Sequence, residues 1–247
     1  MRIKIEFAYD GRDFFGFQTL PEKRTVQNEV EKVLSKILNE DIKIIASGRT
    51  DAGVSANLQV AHFDTTSTIV PTNIAFAANK ILPNDIRIFS SKKVSENFHA
   101  RFSAKEKTYK YLFYFGKINN PVLDRIACYV GKSIDLDKMK DASKYFVGKH
   151  DFTSFSTLDK EVKNHVREIK SIEINKIGDI FELKITGNSF LWNMVRIIAG
   201  TLFEVGTGTK QANEINDIFA KKNRKYAGKL MPAEFLVLDN VKYWHKF

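Results

Sequence analysis

The chain holds one cysteine, five histidines and no long apolar run. A single thiol, Cys128, rules out an internal disulfide, and with so few histidines it also argues against an ordinary structural zinc site. Cys128 then reads as a small buried apolar side chain. No segment approaches the ~20 apolar residues that a membrane-spanning helix needs, and the first residues lack the order of a secretory signal. A soluble, cytoplasmic protein with no membrane partner is expected. Acidic residues are the other shortage: 29 Asp and Glu stand against 39 Lys and Arg, for a net charge of +10. The cations are spread along the chain rather than gathered in a tail, which points to a polyanionic partner. Basicity draws in phosphate without choosing a sequence, so RNA and DNA both stay open.

What the chain does contain is 43% hydrophobic residues in 247, enough for one large domain or two compact ones. Arg2 to Tyr9 alternates Ile3, Ile5, Phe7 and Tyr9 with polar partners, the period of a half-buried strand. Thr25 is placed to cap a helix with apolar positions at Val26, Val30, Val33, Leu34, Ile37 and Leu38. Strands follow at 42–46 and 59–64, a helix over 71–81, and a strand over 86–94. This strand, helix, strand, strand, helix, strand order is that of the split βαβ, or ferredoxin-like, unit also used by RNA-recognition modules.

From Thr108 the order begins again. A strand is expected over 108–115, a helix over 135–146, a hairpin of 166–175 and 180–186 turning at Gly178-Asp179, helices over 192–205 and 210–221, and a closing strand over 235–244. The expected fold is α/β (α+β): two similar ferredoxin-like halves, 1–104 and 105–247, whose sheets join edge to edge as one extended antiparallel surface with a central cleft. No low-complexity linker separates them.

One polar run stands out, Ser47-Gly48-Arg49-Thr50-Asp51-Ala52-Gly53-Val54, between two apolar segments. It reads as a loop between strands, with glycines where the backbone bends or approaches a ligand. Arg49 and Asp51 bring opposite charges two residues apart, either to brace a turn or to present an oriented carboxylate. Tyr9-Asp10-Gly11 and Phe14-Phe15-Gly16-Phe17-Gln18 form an aromatic turn whose rings serve the core, the substrate, or both. Met194, Ile197, Ile198 and Leu202 are ordinary helix core.

The 48–54 run closely resembles the G-R-T-D-A-G-V loop of the tRNA pseudouridine synthase A family. Further resemblances follow in order. Tyr-Asp-Gly (9–11) with Gly-Phe-Gln (16–18) is similar to the family's opening, and Phe98-His99-Ala100-Arg101-Phe102-Ser103-Ala104, with Tyr109 and Tyr111, to its F-H-A-R-F-S-A…Y-x-Y segment. His150-Asp151-Phe152…Arg167, Phe190-Leu191-Trp192-Asn193-Met194-Val195-Arg196 and Pro232-Ala233-Glu234-Phe235-Leu236 complete the set. Two departures stand against it: Ser55 where the family has His, and Phe235 where it has Gly.

The resemblance implies an RNA uridine-to-pseudouridine isomerase acting at positions 38 to 40 in the anticodon stem-loop of tRNA. It implies Asp51 as the catalytic carboxylate with Arg49 and Tyr109 beside it, and Gln18, Arg101, Arg196 and Leu236 with Tyr109 around the substrate. It also implies a homodimer. The reaction breaks the N1–C1′ bond, turns the uracil and rejoins it through C5; nothing is consumed, so no cofactor is required. A carboxylate beside C1′ can trap the electron-poor sugar carbon or take a proton from it. Arg49 would orient it and fill the stack that the flipped nucleotide leaves. The uracil would stack on the Tyr109 ring, whose hydroxyl would take the C5 proton, and Leu236 would form an apolar wall. Competing readings are a paralogous synthase acting on another RNA such as rRNA, a non-catalytic RNA-binding module, and a metal-dependent phosphoesterase using Asp51, His62 and Asp64. The last lacks the clustered carboxylates that two metals need, and no metal site is expected.

Overall fold

A computed structural model describes residues 1–131, 133–159 and 161–244. Its strands pair mostly antiparallel, and the chain divides into two compact units: Met1–Lys107 with the chain from Val237 onward, and Thr108–Leu236. No helix among the described residues is long and apolar enough to cross a membrane.

In the first unit β1 (Arg2–Tyr9) buries Ile3, Ile5, Phe7 and Tyr9, as their alternation demands. Helix α1 (Val26–Leu38) starts at Thr25, whose hydroxyl accepts from Asn28 N, and ends at Asn39 in the left-handed region, φ 55°. Strand β2 is only Ile45–Ala46, shorter than the expected 42–46. The reason lies in α1: Ser35 Oγ accepts from Ile42 N and the buried Glu31 carboxylate accepts from Ile44 N, both at 2.9 Å. Donors used that way are lost to a ladder. Strand β3 (Ser55–Asp64) starts earlier than expected, and residues 59–63 are buried on both faces.

Helix α2 (Asn73–Asn79) is shorter than expected. Its last residue brackets β4 (Ile86–Val94), Asn79 Nδ2 donating to Ile88 O at 2.8 Å and Oδ1 accepting from Ile88 N at 2.9 Å. Strand β1 lies antiparallel between β4 and β3, and β2 lies antiparallel on β3, which is the ferredoxin-like order.

In the second unit β5 (Glu106–Tyr114, beginning two residues before the division) carries β6 (Cys128–Tyr129) in parallel, and Cys128 is buried as expected. Helix α3 (Leu136–Ser143) begins at its Asp135 cap and runs into a 3-10 turn, Lys144–Phe146. Then come β7 (Gly148–Asp151), β8 (Val166–Ile177) and β9 (Ile180–Gly187), with the hairpin turning at Gly178-Asp179. The order is β5-β9-β8-β7. Helix α4 (Met194–Gly206) buries eleven of its thirteen residues, Met194, Ile197, Ile198 and Leu202 among them. Helix α5 is Glu214–Lys221. It does not start at Lys210 because Thr209 N and Lys210 N both donate to Glu204 O, wrapping the end of α4.

The last strand, β10 (Leu236–Lys242), belongs with the first unit from Val237 on. A division after residue 104 would leave it with the second half. Within the first unit it pairs in parallel with β3, Val237 opposite Ser55 and Leu238 opposite Ala56.

Candidate active site

The 47–54 loop of the first unit is fixed at both ends by polar side chains. At its base Ser47 N donates to Val60 O at 2.7 Å, continuing the β2–β3 pairing. The buried Gln59 amide then seals it: Oε1 accepts from Ser47 Oγ at 2.7 Å and Nε2 donates to Gly48 O at 2.9 Å. Lys107 Nζ donates to Ser47 O at 2.5 Å, and a Cβ at Gly48 would stand 3.0 Å from that nitrogen. Burial, with Arg101 nearby, lowers the Lys107 pKa to about 8.

Further along, Thr50 is buried and anchored twice. Its Oγ1 shares a 2.8 Å hydrogen bond with Tyr9 OH, and its carbonyl accepts from Phe17 N at 3.0 Å. Burial raises the Tyr9 pKa to about 12, so the phenol stays protonated. Asp51 opens a tight turn in which its carbonyl accepts from Val54 N at 3.1 Å, with Gly53 at φ 83°. Gly53 N donates in turn to Phe14 O. The carboxylate is thus carried on a half-buried residue whose backbone neighbours on both sides are tied to the 9–17 segment.

That segment approaches too closely for side chains. A Cβ on Gly11 would lie 2.0 Å from Val54 O, and Gly16, at φ 95°, packs against the Thr50 carbonyl. Ser55, the first departure from the family pattern, has a task here: its hydroxyl accepts from Gly11 N at 3.0 Å, tying the Tyr9-Asp10-Gly11 turn to β3. The Arg12 guanidinium, paired with Asp10, holds that carboxyl below its ordinary range.

Arg49 is exposed and has no hydrogen-bond or ion-pair partner among the described residues, so the expected pairing that would orient the Asp51 carboxylate is not formed: its side chain points to solvent rather than back along the tight turn. Gln18, at the end of the aromatic turn, is exposed as well. Arg101 lies exposed in the 98–103 turn, which is pinned by histidines: His62 Nδ1 accepts from Ala100 N at 3.1 Å, and His99 Nδ1 from Arg101 N and Phe102 N at 3.2 Å. Burial, then Arg2, lowers the His62 pKa to about 4. Asp64 takes a two-pronged hydrogen bond from Arg2, at 2.9 and 2.8 Å. His62 and Asp64, the other members of a phosphoesterase reading, therefore have structural tasks.

Three of the expected site residues belong to the second unit. Tyr109 is buried on β5, its ring edge-on to Phe190 with centroids 5.1 Å apart. Arg196, in the first turn of α4, donates to Met231 O at 2.6 Å and to Asn193 Oδ1 at 2.8 Å. Leu236 is buried and closes a turn, its N–H donating to Ala233 O at 2.9 Å. Phe235, the second departure, lies edge-on to Tyr111, and its carbonyl accepts from Leu112 N at 3.1 Å. The loop's supports, Tyr9, Gln59 and Lys107, were not among the expected site residues. Gln59 left a trace in the sequence, a polar residue in an apolar strand, and Lys107 follows the 98–104 run within the segment that carries the family resemblance.

The profile of the tRNA pseudouridine synthase family matches residues 6–103 and 142–244. Among curated relatives, tRNA pseudouridine synthase A of Bacillus pumilus is 45% identical over 245 residues, covering 98% of this chain and 99% of its own. The protein of the same name from Brevibacillus brevis is 44% identical over 246 residues, with the same coverage of both chains. That from Bacillus licheniformis is 43% identical over 245 residues, again at 98% and 99%. With a family profile spanning both units and relatives above 40% identical over nearly their full length, this chain belongs to the tRNA pseudouridine synthase family.

Proposed function

We propose that this protein isomerises uridine to pseudouridine in the anticodon stem-loop of tRNA, at positions 38 to 40, with Asp51 as the reacting carboxylate. The observation that carries the reading is the Asp51 turn itself. Its backbone is held on both sides by the 9–17 segment, at separations only glycine permits, so the main chain from which the carboxylate projects has a defined position before substrate arrives. A reaction that must hold a carboxylate against C1′ while uracil detaches and turns gains from such preorganisation.

The other roles follow from chemistry. Arg49, exposed and without a partner among the described residues, is available to fill the stack from which the uridine is flipped. Tyr109 stacks the uracil and takes the C5 proton, and Leu236 walls the base. Gln18, Arg101 and Arg196 hold the RNA, the two arginines by the planar fork that suits phosphate. With no redox change and no consumed co-substrate, the reaction requires no cofactor. The working form is a cytoplasmic homodimer in which each tRNA meets basic surface on both subunits.

Purified protein and unmodified tRNA, without added metal or nucleotide, should yield pseudouridine in the anticodon arm, read by mass-neutral base mapping. Modification of ribosomal RNA with none of any tRNA would replace the target by that of a paralogue. Light scattering that reports only monomer under conditions of full activity would remove the dimer.

A further inference from the structure

The 98–103 turn holds a feature that none of the roles above uses. Phe102 is 75% exposed, although the segment around it is tightly constrained. Its ring stacks on His99, centroids 4.2 Å apart and planes 26° from parallel. His99 is itself fixed. Its Nδ1 accepts two backbone N–H groups, its ring lies 4.8 Å from that of buried His62, and its N–H and carbonyl are tied to Ser103. The Arg101 guanidinium stands 5.9 Å from the Phe102 centroid. A large apolar ring is thus backed by a second ring, flanked by a cation and left largely to water.

An apolar side chain supported so rigidly in an exposed position has the form of a platform for a flat partner. Single-stranded RNA loops offer unstacked bases, and proteins take them on aromatic faces beside arginine. A protein side chain would also cover the ring, but the adjoining cation and the net charge of +10 favour a polyanion. From these observations we infer that Phe102 is a stacking site for an unpaired nucleobase of the bound tRNA, outside the reacting uridine, with Arg101 on the adjoining phosphate. The inference rests on the tRNA-modifying reading.

Phe102→Ala should weaken binding of an unmodified tRNA transcript roughly tenfold at constant salt. The slope of log Kd against log salt should stay unchanged, because no phosphate contact is lost, and kcat at saturating tRNA should stay within about twofold of the parent. Phe102→Trp should restore the affinity, and its emission should be quenched by tRNA beyond any change that Trp192 and Trp244 give in the parent. Parent affinity in the alanine variant, or tryptophan emission unmoved by saturating tRNA, overturns the site even if the alanine variant melts earlier. Failure of the tRNA-modifying reading is separate: the parent itself would then neither bind nor modify tRNA.

Discussion

The Asp51 loop and helix α4 belong to different units and are held by different forces. The loop is held by directional bonds, Tyr9 to Thr50, Gln59 to Ser47 and Gly48, Lys107 to Ser47, and by backbone approaches at Gly11 and Gly16. Helix α4 is held by apolar burial on nearly every side, with Thr201 Oγ1 turned back to Ile197 O at 2.8 Å. Directional bonds fix an atom's position at modest net energy, about 1 kcal/mol each. Burial yields more free energy but fixes position mainly through volume. Changes in the loop should therefore appear first in catalysis, and changes in α4 first in stability.

The sharpest separation comes from Asp51→Asn. Losing the charge while keeping the volume should lower turnover by roughly 10⁴-fold or more, with tRNA affinity and melting temperature near the parent's. Appreciable turnover with intact binding would remove Asp51 from the mechanism. The reverse pattern is expected of Ile198→Ala, a fully buried α4 position, which should cost about 2–5 kcal/mol of unfolding free energy. Well below its melting temperature, that variant should keep kcat within about twofold. A large kcat loss without destabilisation would erase the distinction between the two regions.

Gly11→Ala tests the close approach. A Cβ 2.0 Å from Val54 O must displace the loop, and a shift near 1 Å can cost about a hundredfold in rate, so kcat should fall while tRNA Kd holds. Tyr9→Phe leaves the buried Thr50 hydroxyl without its partner and should cost about 1–3 kcal/mol by denaturant unfolding.

The smallest expected effect is a pH dependence. Burial lowers the folded-state pKa of Lys107 to about 8, whereas a lysine in the unfolded chain ionises near ~10.4. Between those values the unfolded chain binds the extra proton, so this group makes stability rise with pH across that window. Lys107→Met should flatten that part of the melting temperature profile; an unchanged slope would show that the ammonium is not desolvated in solution.

Much of this was legible in the residues. Period-two apolar positions placed β1, and the Thr25 cap with its apolar stripe placed α1, because these patterns depend only on local geometry. The G-R-T-D-A-G-V run marked the loop because few other tasks call for that string. Lengths differ where another group captured a backbone donor, the side chains of Glu31 and Ser35 beside β2 and the Glu204 carbonyl, at the end of α4, before α5. The supports of the Asp51 loop come from positions 9, 59 and 107, and β10 pairs with β3, far away along the chain. The sequence alone determined most of the elements, though not the short strands β6 and β7, and marked the loop that carries Asp51, since propensity, capping and motif act over a few residues. Only the tertiary structure decided how that loop is held and where the last strand pairs, since those depend on hydrogen bonds between groups brought together by folding.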